Sequence, residues 1–370
     1  MLTWSRAAYN ISQEPPAHTL LAEIGSLSLE FTRLSQLTGD PKYYDAIQRV
    51  TNALESQQKE TKIPGLWPIL VNGATMNFKY DKTFTFGGMA DSTYEYLPKE
   101  FLLLGGLVPQ YQDMYEQVID AAKLHLFFRP SMPENYDVLM SGTAKYTPDE
   151  RIVLDPQAQH LGCFVGGMVA IGSKIFSRPE DLPIAEKLVE GCIWAYNQTA
   201  TGVMPELFTA VPCPQWEDCF WDEQDWYDNV NKMHKPRDEE PMPPNERAQA
   251  IISTQHLTPG VSFIKDRRYM LRPEAIESIF ILYRITGNKR YQDIAWRMFV
   301  NIDAACRTHL GYSAINDVTH RESTKLDSQE SFWFAETLKY LYLIFSEPEL
   351  VSLDEWVLNT EAHPFRRPKA

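Results

Sequence analysis

The chain has 370 residues, 44% of them hydrophobic and 12% aromatic, and a formal net charge of -14. That length holds one large domain or two ordinary ones with ample apolar material for a core. The acidic balance excludes the basic face that nucleic acid demands, and the apolar runs at 101–104 and 341–345 fall far short of the roughly 20 residues of a membrane span.

Residues 22–37 read as a helix, with Leu27, Leu29, Phe31 and Leu34 among its apolar positions. Thr38-Gly39-Asp40-Pro41 ends it, and a second helix runs over 43–54. The same phrase returns late: Leu37-Thr38-Gly39-Asp40-Pro41-Lys42-Tyr43 resembles Ile285-Thr286-Gly287-Asn288-Lys289-Arg290-Tyr291. A helical hairpin used twice is the mark of a repeat array. Between the two copies, 65–86 is turn-rich and reads as a short β-hairpin carrying Trp67. Residues 88–104 and 110–128 read as helices, 136–146 as strand, and 159–176 and 183–198 as helices. The stretch 205–265, rich in Pro, Trp, Asp and Glu, reads as irregular, and its length suggests a functional loop or an insertion. Helices at 272–285, 289–306 and 329–345 complete an array of antiparallel helix pairs with β-rich loops at one end.

The chemistry gathers at Leu271-Arg272-Pro273-Glu274-Ala275-Ile276-Glu277. Pro273 suits the first turn of a helix, where a missing N–H costs nothing, and Ile276, Phe280 and Tyr283 mark its buried face. Glu274 and Glu277 share a face in that turn. The helix dipole and Arg272 both favour the ionised carboxylate, which suits a general base or a metal shell. The plainer alternative is that both glutamates only complement the dipole. Further carboxylates lie among aromatic and small residues: Glu23, the pair Asp91 and Glu95, the pair Glu330 and Glu336, and Glu361. Singly, each is as readily an ion pair with a neighbouring helix. Together, one per hairpin, they fit an acidic pocket in a helical barrel, and paired carboxylates beside aromatics are what glycoside hydrolysis uses. His160 opens a helix and gains interest only beside the acids. Asn10-Ile11-Ser12 and Asn197-Gln198-Thr199 are glycosylation sequons, whereas the opening from Met1 lacks a signal-peptide pattern. The five cysteines leave at least one unpaired and offer no zinc spacing.

At these residues the sequence resembles glycoside hydrolase family 47, the class I α-1,2-mannosidases. The matching phrases are Phe86-Gly87-Gly88-Met89-Ala90-Asp91-Ser92, His160-Leu161-Gly162-Cys163-Phe164, Leu271-Arg272-Pro273-Glu274, Glu330-Ser331-Phe332, Glu336-Thr337-Leu338-Lys339-Tyr340 and Asn359-Thr360-Glu361-Ala362-His363-Pro364. They stand in family order from near residue 20 to the C-terminus. The resemblance implies an all-α fold, an (α/α) barrel of seven helical hairpins with small β-hairpins in the loops, and one catalytic domain over 1–370. It implies calcium-dependent, inverting removal of terminal α-1,2-linked mannose from high-mannose N-glycans in the endoplasmic reticulum or Golgi lumen. Glu274 matches the general base and Asp91 the second central carboxylate. Thr360 matches the residue that gives carbonyl and hydroxyl oxygens to Ca2+, a hard cation suited to oxygen ligands. Glu23, His160, Arg272, Glu277, Phe332, Glu336 and Glu361 match positions around the sugar and metal, with Phe332 against the ring's apolar face. Cys163 and Cys192 match the disulfide pair.

Two departures set further expectations. The family's proton-donating glutamate lies in an early hairpin, upstream of the segment matching Glu23, so the chain reads as lacking its opening hairpins, the acid and any membrane anchor. On that reading the chain alone shows negligible turnover. A non-catalytic glycan-binding protein of glycoprotein quality control and an inactive fragment are then the alternatives to an enzyme. Met89 stands where members limited to one mannose carry Arg, and this resembles Golgi and fungal members. A monomer is expected.

Overall fold

The computed structural model describes residues 4–234 and 242–368. Its contacts divide the chain into two compact units. One comprises Met1–Leu126, Thr143–Asp155 and Val351–Ala370; the other comprises Phe127–Gly142 and Pro156–Leu350.

The first unit holds helices α1 (Trp4–Ala8), α2 (Leu21–Gly25), α3 (Ser28–Thr38), α4 (Lys42–Gln58), α5 (Asp91–Leu103) and α6 (Gln110–His125). α3 pairs with α4, α5 pairs with α6, and α5 also packs on α2 and α3. The helix expected over 22–37 is therefore two helices. Gly25, at the end of α2, lets Thr93 of α5 pack close, because a Cβ there would lie 2.2 Å from Thr93 Oγ1. The chain bends at Ser26, whose hydroxyl meets that of Ser92 at 2.6 Å. The hairpin expected over 65–86 is also corrected. Its two halves pair elsewhere, 70–71 with 19–20 and 83–85 with 143–146, leaving an Asn72–Asn77 bridge as its own closure. Trp67 is fully buried. Its indole N–H donates to the Leu54 carbonyl (2.9 Å), and the Tyr94 hydroxyl donates to its carbonyl (2.7 Å). The strand expected over 136–146 is two short strands, 140–141 and 143–146, in separate sheets.

The second unit holds α7 (Phe164–Ile175), α8 (Leu182–Asn197), α9 (Glu223–Met233), α10 (Pro244–Gln255), α11 (Glu274–Thr286), α12 (Arg290–Cys306) and α13 (Leu338–Ile344). α7 pairs with α8, α9 with α10 and α11 with α12, while α11 also lies along α7. A three-stranded antiparallel sheet joins 157–159, 207–210 and 261–266. The stretch 205–265 is thus far more ordered than its composition suggests, although 235–241 lie outside the described residues. Its polar residues and prolines mark helix starts. Asp222 accepts the Gln224 backbone N–H at 2.8 Å to cap α9, and Pro244 opens α10. The helix expected over 329–345 begins instead with a π-helical turn, Trp333–Thr337.

The repeated phrase folds the same way twice, once in each unit. Gly39 and Gly287 are left-handed, with φ of +71° and +67°, and their N–H groups reach Ser35 O and Tyr283 O at 2.9 and 2.8 Å. Thr38 and Thr286 donate to the carbonyls four residues back, and Asp40 and Asn288 accept the N–H two residues on. Glycine ends each helix because left-handed φ is free of Cβ strain there.

Cys163 and Cys192 are bridged across α7 and α8, with Cα atoms 6.0 Å apart, and Cys213 and Cys219 form a second bridge. Cys306 is a buried thiol whose pKa burial pushes up to about 12, so it is inert as a nucleophile. The first bridge closes a loop with sequence separation 29. Replacing both cysteines by Ala is expected to lower unfolding stability by about 3–4 kcal/mol, read in denaturant melts.

Candidate active site

In the second unit the site is built on the N-terminus of α11. Glu274 is its first residue, with Pro273 at the cap and Glu277 one turn on, buried on the same helix. Before it the backbone is strained: Leu271 has φ of +65°, unusual for a side chain with a Cβ. Thr337 holds the Leu271 carbonyl at 2.7 Å, and Tyr269 pairs with Ile315 through both backbone groups. The chain is thereby clamped on both sides of the residue that aims Arg272. α11 is held close to α7 because Gly167 faces Ser278. The Gly167 N–H donates to Ser278 Oγ (2.8 Å), which donates to the Cys163 carbonyl (2.5 Å), and a Cβ on Gly167 would meet Ile281 Cδ1 at 2.8 Å. This packing sets His160, just ahead of α7, against Glu274.

The His160 ring is fully buried. Its Nδ1 lies 2.8 Å from Glu274 Oε2 and its Nε2 lies 2.8 Å from the Tyr196 hydroxyl. With Tyr196 donating to Nε2, the ring proton is assigned to Nδ1 and is donated to the carboxylate. The Arg272 guanidinium adds a charge 3.8 Å from Glu274 Oε1. Burial works to raise the Glu274 pKa. The His160 hydrogen bond, with Arg272 behind it, outweighs it and holds the carboxyl below its ordinary value. Burial likewise pushes the Tyr196 and Tyr269 hydroxyls up, so both remain protonated donors.

Arg272 is itself fixed by Glu206, at 2.5 Å from Nε. Glu206 also accepts the Met270 backbone N–H at 3.1 Å. The guanidinium lies 5.7 Å over the Phe332 ring, which directly precedes the π-helical turn that buries Glu336. π turns recur at functional sites. The structure therefore brings His160, Arg272 and Glu274 into one network and sets Phe332 against it, with Glu277 on the same helix.

The other expected residues lie in the first unit. Asp91 is the first residue of α5, two positions after Met89, which has φ of +79° and is 57% exposed. The Met89 carbonyl accepts the Ala22 N–H at 2.9 Å, next to Glu23, whose carboxylate caps α2 by accepting the Leu20 N–H at 3.3 Å. Both candidate catalytic carboxylates thus open a helix just after a strained residue. Thr360 and Glu361 sit in the loop between strands 356–358 and 364–366. Asn359 organises that loop, its Oδ1 accepting from Glu361 and His363 N–H at 3.0 and 2.7 Å. The Asn359 side chain donates to Glu30 Oε1 (2.7 Å), which also accepts from the Tyr96 hydroxyl (2.7 Å); the Thr360 N–H approaches Tyr96 at 3.4 Å. Glu30 Oε2 is buried with no hydrogen-bond partner among the described residues. An orphaned carboxylate oxygen in the same network as the Tyr96 hydroxyl and Thr360 is donor chemistry that fits a hard cation. Among the described residues no cluster of three His, Cys, Asp or Glu forms a metal cage. Glu95 is buried and paired with Lys99 in α5.

Sequence reasoning missed Glu206, Tyr196 and Tyr269. Glu206 follows Pro205 after buried Val203 and Met204 and is itself buried; a carboxylate closing an apolar run was the available signal. Tyr196 and Tyr269 carry no local signal, since only the fold joins them to His160.

The sequence profile described as glycosyl hydrolase family 47 matches residues 2–367. The chain is 30% identical over 349 residues to the human mannosyl-oligosaccharide 1,2-alpha-mannosidase IC, covering 94% of this chain and 46% of that protein. It is 35% identical to the mannosyl-oligosaccharide alpha-1,2-mannosidase of Coccidioides posadasii, covering 94% and 60% respectively. Among solved structures, the alpha-1,2-mannosidase from Trichoderma reesei superposes with a TM-score of 0.78 at 31% identity, covering 97% of this chain and 68% of that one. The chain spans about half the length of the curated relatives it matches.

Proposed function

The chain belongs to glycosyl hydrolase family 47, with the all-α fold of helical hairpins that goes with it, and we propose that it acts as an α-1,2-mannosidase in which Glu274 activates the attacking water. The substrates are terminal α-1,2-linked mannoses of high-mannose N-glycans, met in the lumen of the secretory pathway. The single observation that carries this reading is Glu274, a carboxylate kept ionised by His160 and Arg272 at a helix N-terminus.

In this reading Glu274 orients a water and takes its proton as the oxygen attacks the anomeric carbon, which inverts the configuration. His160 keeps the carboxylate aimed while Tyr196 fixes its tautomer. Glu206 holds Arg272, and Phe332 lies against the apolar face of the ring. Asp91 belongs to the same reading as the second central carboxylate, and Glu23, Met89 and Glu361 as sugar-side residues. Inversion also requires a protonated acid on the leaving oxygen. Glu100, whose pKa burial raises to about 8, does not fill that role, because it is fully buried with one oxygen on Thr32. The Thr360 oxygens would hold Ca2+, which when bound supplies a fixed positive charge for sugar hydroxyls.

The test is mannose release from a high-mannose glycan by the full-length protein. Release of α-1,2-linked mannose is expected. Glycan binding without release would replace the enzyme by the non-catalytic glycan-binding reading. Adding Ca2+ to chelator-treated protein is expected to raise its melting temperature, because a ligand of the native state stabilises it, and Thr360→Ala is expected to abolish that rise. An unchanged melting curve would remove calcium from the scheme.

A further inference from the structure

The sequon Asn197-Gln198-Thr199 plays no part in the network above. Asn197 is the last residue of α8, exposed, and its side chain makes no hydrogen bond among the described residues. Thr199 shapes the turn that follows, donating to the Val203 carbonyl (2.8 Å) and accepting the Val203 N–H (3.1 Å). The turn continues to Gly202, whose carbonyl accepts from the Asn301 amide of α12 at 3.2 Å. Asn197 thereby stands on the rim of a cavity of about 230 Å³, walled by Ile193, Gly202, Arg297, Met298 and Asn301. At about 30 Å³ per water, that is the space of about eight waters, the scale of one pyranose ring. The wall is mixed. Ile193 and Met298 are apolar and buried, while Arg297 is exposed and has no ion pair among the described residues.

We propose that Asn197 carries an N-linked glycan whose first N-acetylglucosamine is seated in this cavity, with Arg297 donating to the sugar. The side-chain nitrogen of Asn197 forms a bond to C1 of the sugar of a lipid-diphosphate oligosaccharide. The lipid diphosphate leaves from C1 and the amide gives up one proton. The transfer takes place while the chain is being made, and the folded turn then presents the linkage to the cavity. The guanidinium gains a partner, and the exposed Trp296 and Val300 that also line the cavity gain an apolar ring face.

The proposal rests on the secretory-lumen reading, and one sample separates the two. The full-length protein is produced in a eukaryotic host, and the Cys163–Cys192 bridge, mapped in the same digest, reports arrival in an oxidising lumen. Enzymatic deglycosylation in heavy-oxygen water is expected to convert Asn197 to labelled Asp, and Asn197→Gln is expected to remove that glycan alone. A bridged protein with unmodified Asn197 overturns the site; reduced cysteines with both sequons unmodified overturn the location on which it stands. Seating is read from the rate of amidase release from folded protein. Release at Asn197 is expected to be at least tenfold slower than from unfolded protein, and Arg297→Ala is expected to restore most of that rate without changing occupancy. Equal rates from folded and unfolded protein, unmoved by Arg297→Ala, overturn the seating.

Discussion

Glu274→Gln in the full-length protein is expected to lower kcat for mannose release by about 10²–10⁴-fold, the usual range for a general acid–base group. KM is expected to change only a few-fold. The substitution keeps the shape of the side chain and an oxygen for His160 Nδ1, 2.8 Å away in the native protein. What it removes is the negative charge and the capacity to take a proton. The Arg272–Glu206 pair (2.5 Å) stays intact, so the guanidinium remains in place over Phe332 and glycan binding survives. An effect confined to the transition state lowers kcat and kcat/KM together. The measurement is steady-state release of mannose from a high-mannose glycan, with glycan affinity measured separately. A kcat within tenfold of the native value would show that another carboxylate activates the water, and Asp91 would be the next to replace.

How much of this could be read from the sequence depended on whether the signal was local. The start of α11 was legible because Arg272-Pro273-Glu274 carries its own cap chemistry, and the repeated hairpin was legible because Gly39 and Gly287 sit where a helix needs left-handed φ. Elements set by contact with distant residues were misread. The break after α2 lies where α5 packs against it, with Thr93 against Gly25 and Ser92 on Ser26, far away in sequence. α10 was mistaken for irregular chain because it buries little of its surface, with Ala248 its buried residue, and so lacks the apolar stripe that marks a helix; α9 does bury Trp226, Tyr227 and Val230, a short stripe set among acidic residues. Glu206 and Tyr196 were missed for the same reason. Each acts by touching a residue tens of positions away, Arg272 and His160 respectively, and no spacing rule connects them. The strained φ at Leu271 and Met89 is likewise imposed from outside, at Leu271 by the Thr337 hydroxyl on its carbonyl.

His160→Ala is expected to move the acidic limb of the kcat profile to higher pH. In the native protein Glu274 is held below its ordinary pKa. Its charge therefore contributes stability that is complete above the ordinary glutamate value and is lost as pH falls through the lowered one. Activity that needs the ionised base follows the same window. Burial is the largest influence on this carboxyl and acts to raise its pKa; the His160 hydrogen bond is the largest influence opposing it. With the imidazole gone, Arg272 at 3.8 Å is left to oppose burial alone, and the pKa rises. Breaking a buried pair typically costs about 3–5 kcal/mol, so the variant is also expected to melt early. Tyr196→Phe separates positioning from packing. It keeps the ring against His160 and removes only the hydroxyl that accounts for the proton on Nδ1, 2.8 Å from Nε2. The expected stability loss is about 1–3 kcal/mol, that of one unsatisfied buried group. The acidic limb should shift in the same direction as in His160→Ala, and by less, because Nδ1 is no longer committed to donating. A purely structural pair would lower the melting temperature in both variants and leave the limb where it is. That result would remove His160 and Tyr196 from the mechanism and leave Arg272 as the group that keeps Glu274 ionised.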